Sequence, residues 1–429
     1  MAAVSMRARI LGMMGVAVVL VVLLASGGCK KSGAENNASA RSPEPSSPAQ
    51  SGPVRIVIGN LTDKTGVSAN ALNVIDMALE DLVGYYNEEG LIPGVKLEVA
   101  TFDGQWDPAR NVPGYEWLRN KGADMIWTPV PPAVETLMPR VSDDEFVLFA
   151  STANMDPEIL EGGYVFSLGI MPEYEAYTFL KWIAENDPDF PQGRPAKIGG
   201  ASWLDGYSNI WFRAAEAYAK AHPDQYEWVG GYMTQFSFTW GAEVEKLKSC
   251  DYVYVPAPMY NFVKEYREAG YTTAKFLGTD VQAAFLAMLD DAGLWDGIDG
   301  MLFSRSSRWY NEHDPIIDLA NKLLDEKHPA EAADIREGGS GYIAGKQAYL
   351  MLEIIKKAVN DRGAQNFDSQ TLFDAATSFS FTLDGIEGFA SFDKTKRYVQ
   401  NYYSIYEARA SGENIFRIEP EWIEQVMTP

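Results

Sequence analysis

Cysteine is nearly missing from the chain. Only Cys29 and Cys250 are present, so the folded part has no intrachain disulfide available to it. Histidine is as scarce: His222, His313 and His328 are widely spaced without a ligand-like pattern, and each reads as a surface residue rather than a metal ligand. Basic residues are in deficit, 36 Lys and Arg against 59 Asp and Glu for a formal net charge of −23. Such a balance argues against nucleic acid and anionic lipid surfaces as partners. No G-x-S-x-G elbow and no Ser/His/Asp ordering is found, which disfavours a secreted α/β hydrolase. The glycine-rich stretch 337–345 lacks the GK[ST] ending of a phosphate loop and no strand feeds it, so it reads as a helix start. The acidic pairs Asp143-Asp144 and Asp290-Asp291 read as solvated helix ends or turns. Neither an enzyme nor a cofactor is implied.

What is there begins with the stretch Val54 to Asp103. Val54 to Ile58 is a run of β-branched residues with one Arg, as expected of a parallel strand covered on both faces. A polar loop follows, with Gly66 as its breaker. From about Ala71 to Asn87, Leu72, Ile75, Leu79, Leu82 and Tyr86 recur at three- and four-residue spacing and predict a helix with one buried face. Gly90 and Pro93-Gly94 turn the chain into a second strand, Val95 to Thr101. Strands joined by a helix lie parallel with a right-handed crossover, so the chain is α/β. The pattern repeats with strands at 123–128, 145–152 and 164–170, then at KIGGASW, WVGGYMT, DYVYVPA and KFLGTD. Helices are predicted at 207–221, 240–248, 259–269, 314–327 and 341–359. Residues 385–408 read as a Gly-turned hairpin. Residues 54 to 429 exceed one ordinary core, which predicts two lobes.

The N-terminal region has its own signature. Arg7 and Arg9, an apolar run from Ile10 to Leu24 and small residues up to Cys29 form a secretion signal over 1–28, the run being short of the roughly 20 residues a membrane span needs. Cys29 stands where bacterial lipoproteins carry their lipidated cysteine, although Ser26 replaces the usual Leu three positions before it; cleavage near Ala25-Ser26-Gly27 is the alternative. Residues 29–53 are rich in Ser, Ala, Pro, Asn and Gly and read as a flexible tether.

The Val54 to Asp103 stretch, with its Thr65-Gly66 loop, its helix ending near Asn87, its Gly90 to Gly94 turn and its strand ending in Asp103, resembles the opening of type I periplasmic binding proteins of the leucine/isoleucine/valine-binding kind, the solute receptors of ABC importers. The resemblance covers about the whole mature chain, through loose motifs. It implies an α/β fold of two Rossmann-like lobes with parallel-sheet cores joined by a three-strand hinge. Lobe 1 would comprise 54–170 plus 304–386, and lobe 2 171–303 plus 387–429. It further implies a small-molecule solute, an ABC permease in the cytoplasmic membrane as partner, attachment to that membrane's outer face or the periplasm through a lipid anchor, and no nucleic acid. A ligand-sensing receptor domain of the same fold is the alternative.

In open parallel sheets ligands sit beyond the carboxyl ends of the strands. The loops there include two matching ones, Thr128-Pro129-Val130-Pro131-Pro132 and Pro256-Ala257-Pro258-Met259-Tyr260, which suggest paired cleft walls; singly, Pro132 and Pro258 read as helix-start prolines. The resemblance places ligand contacts at Thr128, Val130, Ser151 and Thr152 in lobe 1 and at Trp203, Asp205, Tyr207, Pro258 and Asp280 in lobe 2. Asp280 falls where the family carries an acidic residue for the ligand ammonium, with a helix N-cap as its alternative role. Trp127, Trp203, Phe238 and Tyr260 would suit an apolar or aromatic ligand body. Pro131 stands where the family usually holds the ligand carboxylate with a Ser hydroxyl and backbone N–H groups, and proline offers neither. An amide, an amine or a neutral head group is therefore expected over a branched-chain amino acid.

Overall fold

In the computed structural model, which describes residues 52–152, 155–235 and 237–429, the expected opening unit is longer at every joint than the local pattern suggests. The signal segment, Cys29 and the tether as far as Ser51 lie outside the described residues. Strand β1 runs Val54–Thr62, helix α1 Ala69–Glu88 and strand β2 Val95–Asp103. Gly59 and Asn60 are poor strand formers. They are held extended because β1 pairs with β2 along its whole length and with β3 (Met125–Thr128) on its other edge. On α1, Leu72, Leu79, Leu82 and Tyr86 are buried as their spacing requires, and Asp76 is buried with them.

After β2 come α2 (Asn111–Asn120), β3, α3 (Pro131–Asp143), β4 (Leu148–Ala150) and β5 (Val165–Ser167). The five strands form one all-parallel sheet in the order β2-β1-β3-β4-β5. The chain then builds a second layer from α4 (Pro172–Asn186), β6 (Ala196–Trp203), α5 (Gly206–Ala221), β7 (Tyr226–Thr234), α6 (Gly241–Leu247), β8 (Tyr252–Tyr254), α7 (Tyr260–Glu268), β9 (Lys275–Gly278), α8 (Asp280–Ala283), α9 (Leu286–Asp291) and β10 (Leu302–Arg305). It returns to the first layer as α10 (Pro315–Lys327), α11 (Ala332–Gly338), α12 (Gly345–Arg362), α13 (Ser369–Ala376), β11 (Ser380–Leu383) and β12 (Ile386–Ser391). It ends with β13 (Tyr402–Arg409), β14 (Asn414–Arg417) and β15 (Ile423–Glu424). The second sheet is ordered β14-β13-β10-β9-β8-β6-β7, with β15 on β13. The result is an α/β fold of two lobes, each with a parallel-sheet core.

Two paired glycines explain how the second sheet takes a helix so closely. Gly199 lies beside Gly230 and Gly200 beside Gly231 across β6 and β7. A Cβ on Gly200 or Gly231 would come within 2.5 Å of the Phe212 ring of α5. Gly200 and Gly231, the second glycine of each pair, thus make a floor on which that ring rests, while Gly199 faces Leu247.

The chain passes between the sheets at 168–171, 306–314 and 392–401. The first and third passages are tied together: Ser167 N donates to Arg397 O at 2.7 Å and Val399 N to Ser167 O at 2.9 Å. The expected hairpin over 385–408 is not formed. β12 pairs instead with β11, through a turn in which Asp384 and Gly385 have φ of 53° and 79°, while β13 pairs with β10 and β14. Each strand finds a longer ladder with another partner, and the two halves share the single antiparallel bridge Ala390 to Gln400 in place of a ladder. The glycine-rich stretch is likewise a turn rather than a helix start for most of its length, since α11 ends at Gly338 and α12 begins at Gly345.

Candidate functional site

The carboxyl ends of the strands bring Thr62, Thr128 and Ala150 to one rim in the first lobe, and Trp203, Tyr254, Gly278 and Arg305 to another in the second. In the first lobe the loop chemistry is turned inward. Thr128 is fully buried; its hydroxyl donates to Leu61 O at 2.7 Å and accepts from Val130 N at 3.1 Å. Its one proton is committed to pinning the turn, so Thr128 has no hydrogen left for a ligand. Val130 is the N-cap residue of α3, and Pro131 and Pro132 open that helix. Two of the first N–H groups that a helix usually presents to an anion are therefore missing. Ser151 is buried and Thr152 half-buried, and Gly169 of the first passage packs on them so closely that a Cβ there would lie 2.0 Å from Ser151 O. Trp127, expected as a possible ligand-facing ring, is wholly inside the first lobe's core, because alternation along β3 sends it to the face opposite Thr128.

In the second lobe Trp203 donates from Nε1 to Ser237 O at 2.8 Å and meets the exposed Phe238 ring edge-on, 5.8 Å between centroids. Asp205 caps α5, accepting from Ser208 N and Ser208 Oγ at 2.8 Å each, so its carboxylate faces back onto its own helix. Pro258 follows a cis peptide and precedes α7, which begins only at Tyr260; unlike Pro132, it is not inside a helix. Asp280 is not the N-cap of α8. Thr279 holds that place, in a capping box with Gln282, and Asp280 is the first helical residue.

Asp280 instead sits at the edge of a buried polar cluster that sequence reasoning did not assemble. One of its oxygens lies 3.0 Å from Nη1 of Arg305, and the other accepts from Ser306 N at 3.3 Å and Ser306 Oγ at 3.2 Å. Its side chain keeps 22% of its exposure while that of Arg305 has 0%. Arg305 is stacked on Trp309, 4.5 Å from the ring centroid, and its Nε has no hydrogen-bond partner among the described residues. Lys346 of α12, also buried, donates to Ser306 O. Glu175, in the first turn of α4 and fully buried, takes a hydrogen bond from Tyr207 Oη. The one signal for this cluster in the sequence is Arg305 itself, a charge at the end of the otherwise apolar strand GMLFSRS. Glu175 and Lys346 lie in helical patterns where a charge reads as solvated.

Burial raises the Glu175 carboxyl well above the ordinary range, and the neighbouring Asp280 adds to the shift, against the opposing hydrogen bond from Tyr207. Burial likewise depresses Lys346, to about 8, against the attraction of Asp280 and Asp314. The unfolded Glu175 titrates near 4.3. The folded state therefore holds its proton more tightly. The stability this contributes is complete below about pH 4.3 and is lost as pH rises through the raised folded value. Glu175→Gln, which is neutral at every pH, is expected to remove that decline and to be at least as stable as the wild type at pH 8. Urea unfolding of both proteins at pH 5 and pH 8 checks this, and parallel pH slopes would contradict it.

An α/β fold of two lobes linked by three chain passages, with polar residues gathered at the strand ends and hinge, defines a two-lobed binding protein. The profile of the periplasmic binding protein family matches residues 55–413. The chain belongs to that family, one of binding proteins rather than enzymes. A comparison with curated proteins found no match. Among solved structures, the chain is similar to a branched-chain amino acid ABC transporter protein from Thermus thermophilus with bound valine, at 18% identity and a TM-score of 0.73, over 88% of this chain and 97% of that one. It is similar to a fatty acid ABC transporter substrate-binding protein from Thermomonospora curvata, at 18% identity and a TM-score of 0.70, over 87% and 95%. It is also similar to an ABC transporter solute-binding protein from R. palustris in complex with 4-hydroxybenzoate, at 16% identity and a TM-score of 0.69, over 86% and 97%.

Proposed function

We propose that this protein is the extracytoplasmic solute-binding component of an ABC importer. It captures a small, nitrogen-bearing organic solute (an amino acid, amide or amine) between its lobes and delivers it to a permease in the cytoplasmic membrane. Cys29 is its lipid anchor. The lobes move about the three passages, 168–171, 306–314 and 392–401, as a hinge. The observation that carries the ligand class is the partly exposed Asp280 carboxylate at the end of β9, set against a first-lobe loop in which Pro131 and Pro132 lack N–H groups. An acceptor on one side and missing donors on the other favour a solute that donates N–H and disfavour an anionic head group. Arg305 and Lys346 already balance the charge of Asp280. A neutral N–H, as in an amide, therefore suits the site better than a full ammonium. Ser151, Thr152, Trp203, Tyr207 and Pro258 are the further contacts of this reading; Val130 and Thr128 shape its wall, and Asp205 holds α5.

Titration calorimetry against amino acids, amides, polyamines and aromatic amines tests it. An amide or amine is expected to bind more tightly than leucine, isoleucine or valine, and tight binding of one of those three would overturn the preference for an N–H donor without an anionic head group.

A further inference from the structure

The glycine-rich segment between α11 and α12 lies outside the solute site and touches both lobes. Gly339 has φ of +117° and ψ of −152°, a conformation that only glycine adopts readily. A Cβ on it would lie 2.1 Å from Ala283 O, the carbonyl that closes α8. Ser340 N donates to that same carbonyl at 3.2 Å, and Ser340 Oγ donates to Asp280 O at 2.9 Å. On its other side the segment rests on the first lobe: a Cβ on Gly341 would meet Val74 of α1 at 3.2 Å, and one on Gly345 would meet Ala78 at 3.0 Å. Tyr310 Oη, in the second passage, donates to Gly339 O at 3.2 Å.

We propose that residues 339–341 are an interlobe latch: the segment belongs to the first lobe, docks on α8 of the second when the lobes close, and in doing so positions Asp280. Helix α8 has only four residues, Asp280–Ala283, and is closed by Ala284 N donating to Asp280 O at 3.2 Å and Phe285 N donating to Gln282 O at 3.1 Å. Ser340 adds a second donor to the Asp280 carbonyl through Oγ and gives the Ala283 carbonyl a donor through its N–H. Opening the lobes removes both Ser340 bonds and loosens the turn that carries Asp280, whose carboxylate then rests on Arg305 and Ser306 alone. The latch therefore links the orientation of a solute-facing residue to lobe closure through two hydrogen bonds and one glycine-only contact. The exposed pair of Arg213 on α5 and Asp156 of the first lobe, 2.6 Å apart, also bridges the lobes, but pairs of that exposure hold little.

The proposal rests on the reading of a cleft that closes on a solute. Its test is run without solute, so that failure to find a ligand leaves the result intact. Spin labels at the exposed positions Val67→Cys and Asn209→Cys, with Cys29→Ser and the buried Cys250 left in place, report the interlobe distance by pulsed electron resonance on the full chain. The background protein is expected to show a population at short distance. Gly339→Val should move that population to longer distance. Gly338→Ala, where an added Cβ meets nothing within 4 Å, should superimpose on the background. Ser340→Ala, which keeps the backbone contact and loses one bond, should move part of the population, and it remains informative if Gly339→Val fails to fold. Unchanged distributions in Gly339→Val or in Ser340→Ala, or a background already as open as Gly339→Val, would overturn the latch.

Discussion

Asp280→Ala is expected to destabilise the folded protein by about 3–5 kcal/mol, the usual cost of leaving a buried charge without its partner. The reason lies in Arg305 more than in Asp280. The guanidinium is fully buried, its Nε has no hydrogen-bond partner among the described residues, and the carboxylate 3.0 Å away is the only acidic group among them within ion-pair distance of it. Stacking on Trp309 and Tyr406 softens the loss without replacing an anion. Lys346 stands beside the same cluster, so removal of Asp280 also leaves two buried cations facing each other. The double variant Asp280→Asn, Arg305→Met, in which neither charge remains, is expected to recover most of the loss, as buried pairs replaced by neutral groups of similar volume commonly do. Urea unfolding of the three proteins decides it. A loss below about 1 kcal/mol for Asp280→Ala, the size of an exposed charge at a helix N-terminus, would show that Arg305 is balanced from elsewhere.

The second large effect concerns binding. Asp280→Asn keeps the shape of the side chain and its capacity to accept from Ser306, but it removes the charge that strengthens a solute N–H bond. Hydrogen bonds to charged groups contribute about 1.5–3 kcal/mol, so an approximately 10- to 100-fold loss of solute affinity is expected. Calorimetry below the variant's unfolding range separates this from its lower stability. An affinity equal to that of the wild type would remove Asp280 from the solute's contacts and leave it as a partner of Arg305 alone.

The alternation of strands and helices was legible because it is local. The β-branched run at Val54, the α1 spacing of Leu72, Leu79, Leu82 and Tyr86, and the doubled Pro loops each report a neighbourhood of a few residues. The length of 54–429 predicted two lobes, and the family likeness added the three-strand hinge between them. What could not be read depends on partners far apart in the chain. The GIEGFAS and YYSIYEA strands look like two arms of one hairpin, and only the presence of β11 and β10 as better partners separates them. Thr128 looked like a free hydroxyl, since nothing in its own loop reveals that Leu61 O takes its proton. Glu175, Arg305 and Lys346 meet at the passages between the lobes because three distant segments converge there. The two readings of Asp280, ligand acceptor or cap, both missed its buried cation.

A binding protein of this kind holds a solute between its lobes. Native mass spectrometry of the full chain, compared with its mass after denaturing release, measures this without a prior choice of ligand. A mass excess equal to one small nitrogen-bearing molecule per chain, lost on denaturation and diminished in Asp280→Asn, is the expected result. Identical native and denatured masses, together with no binding to any member of the calorimetry panel, would contradict it.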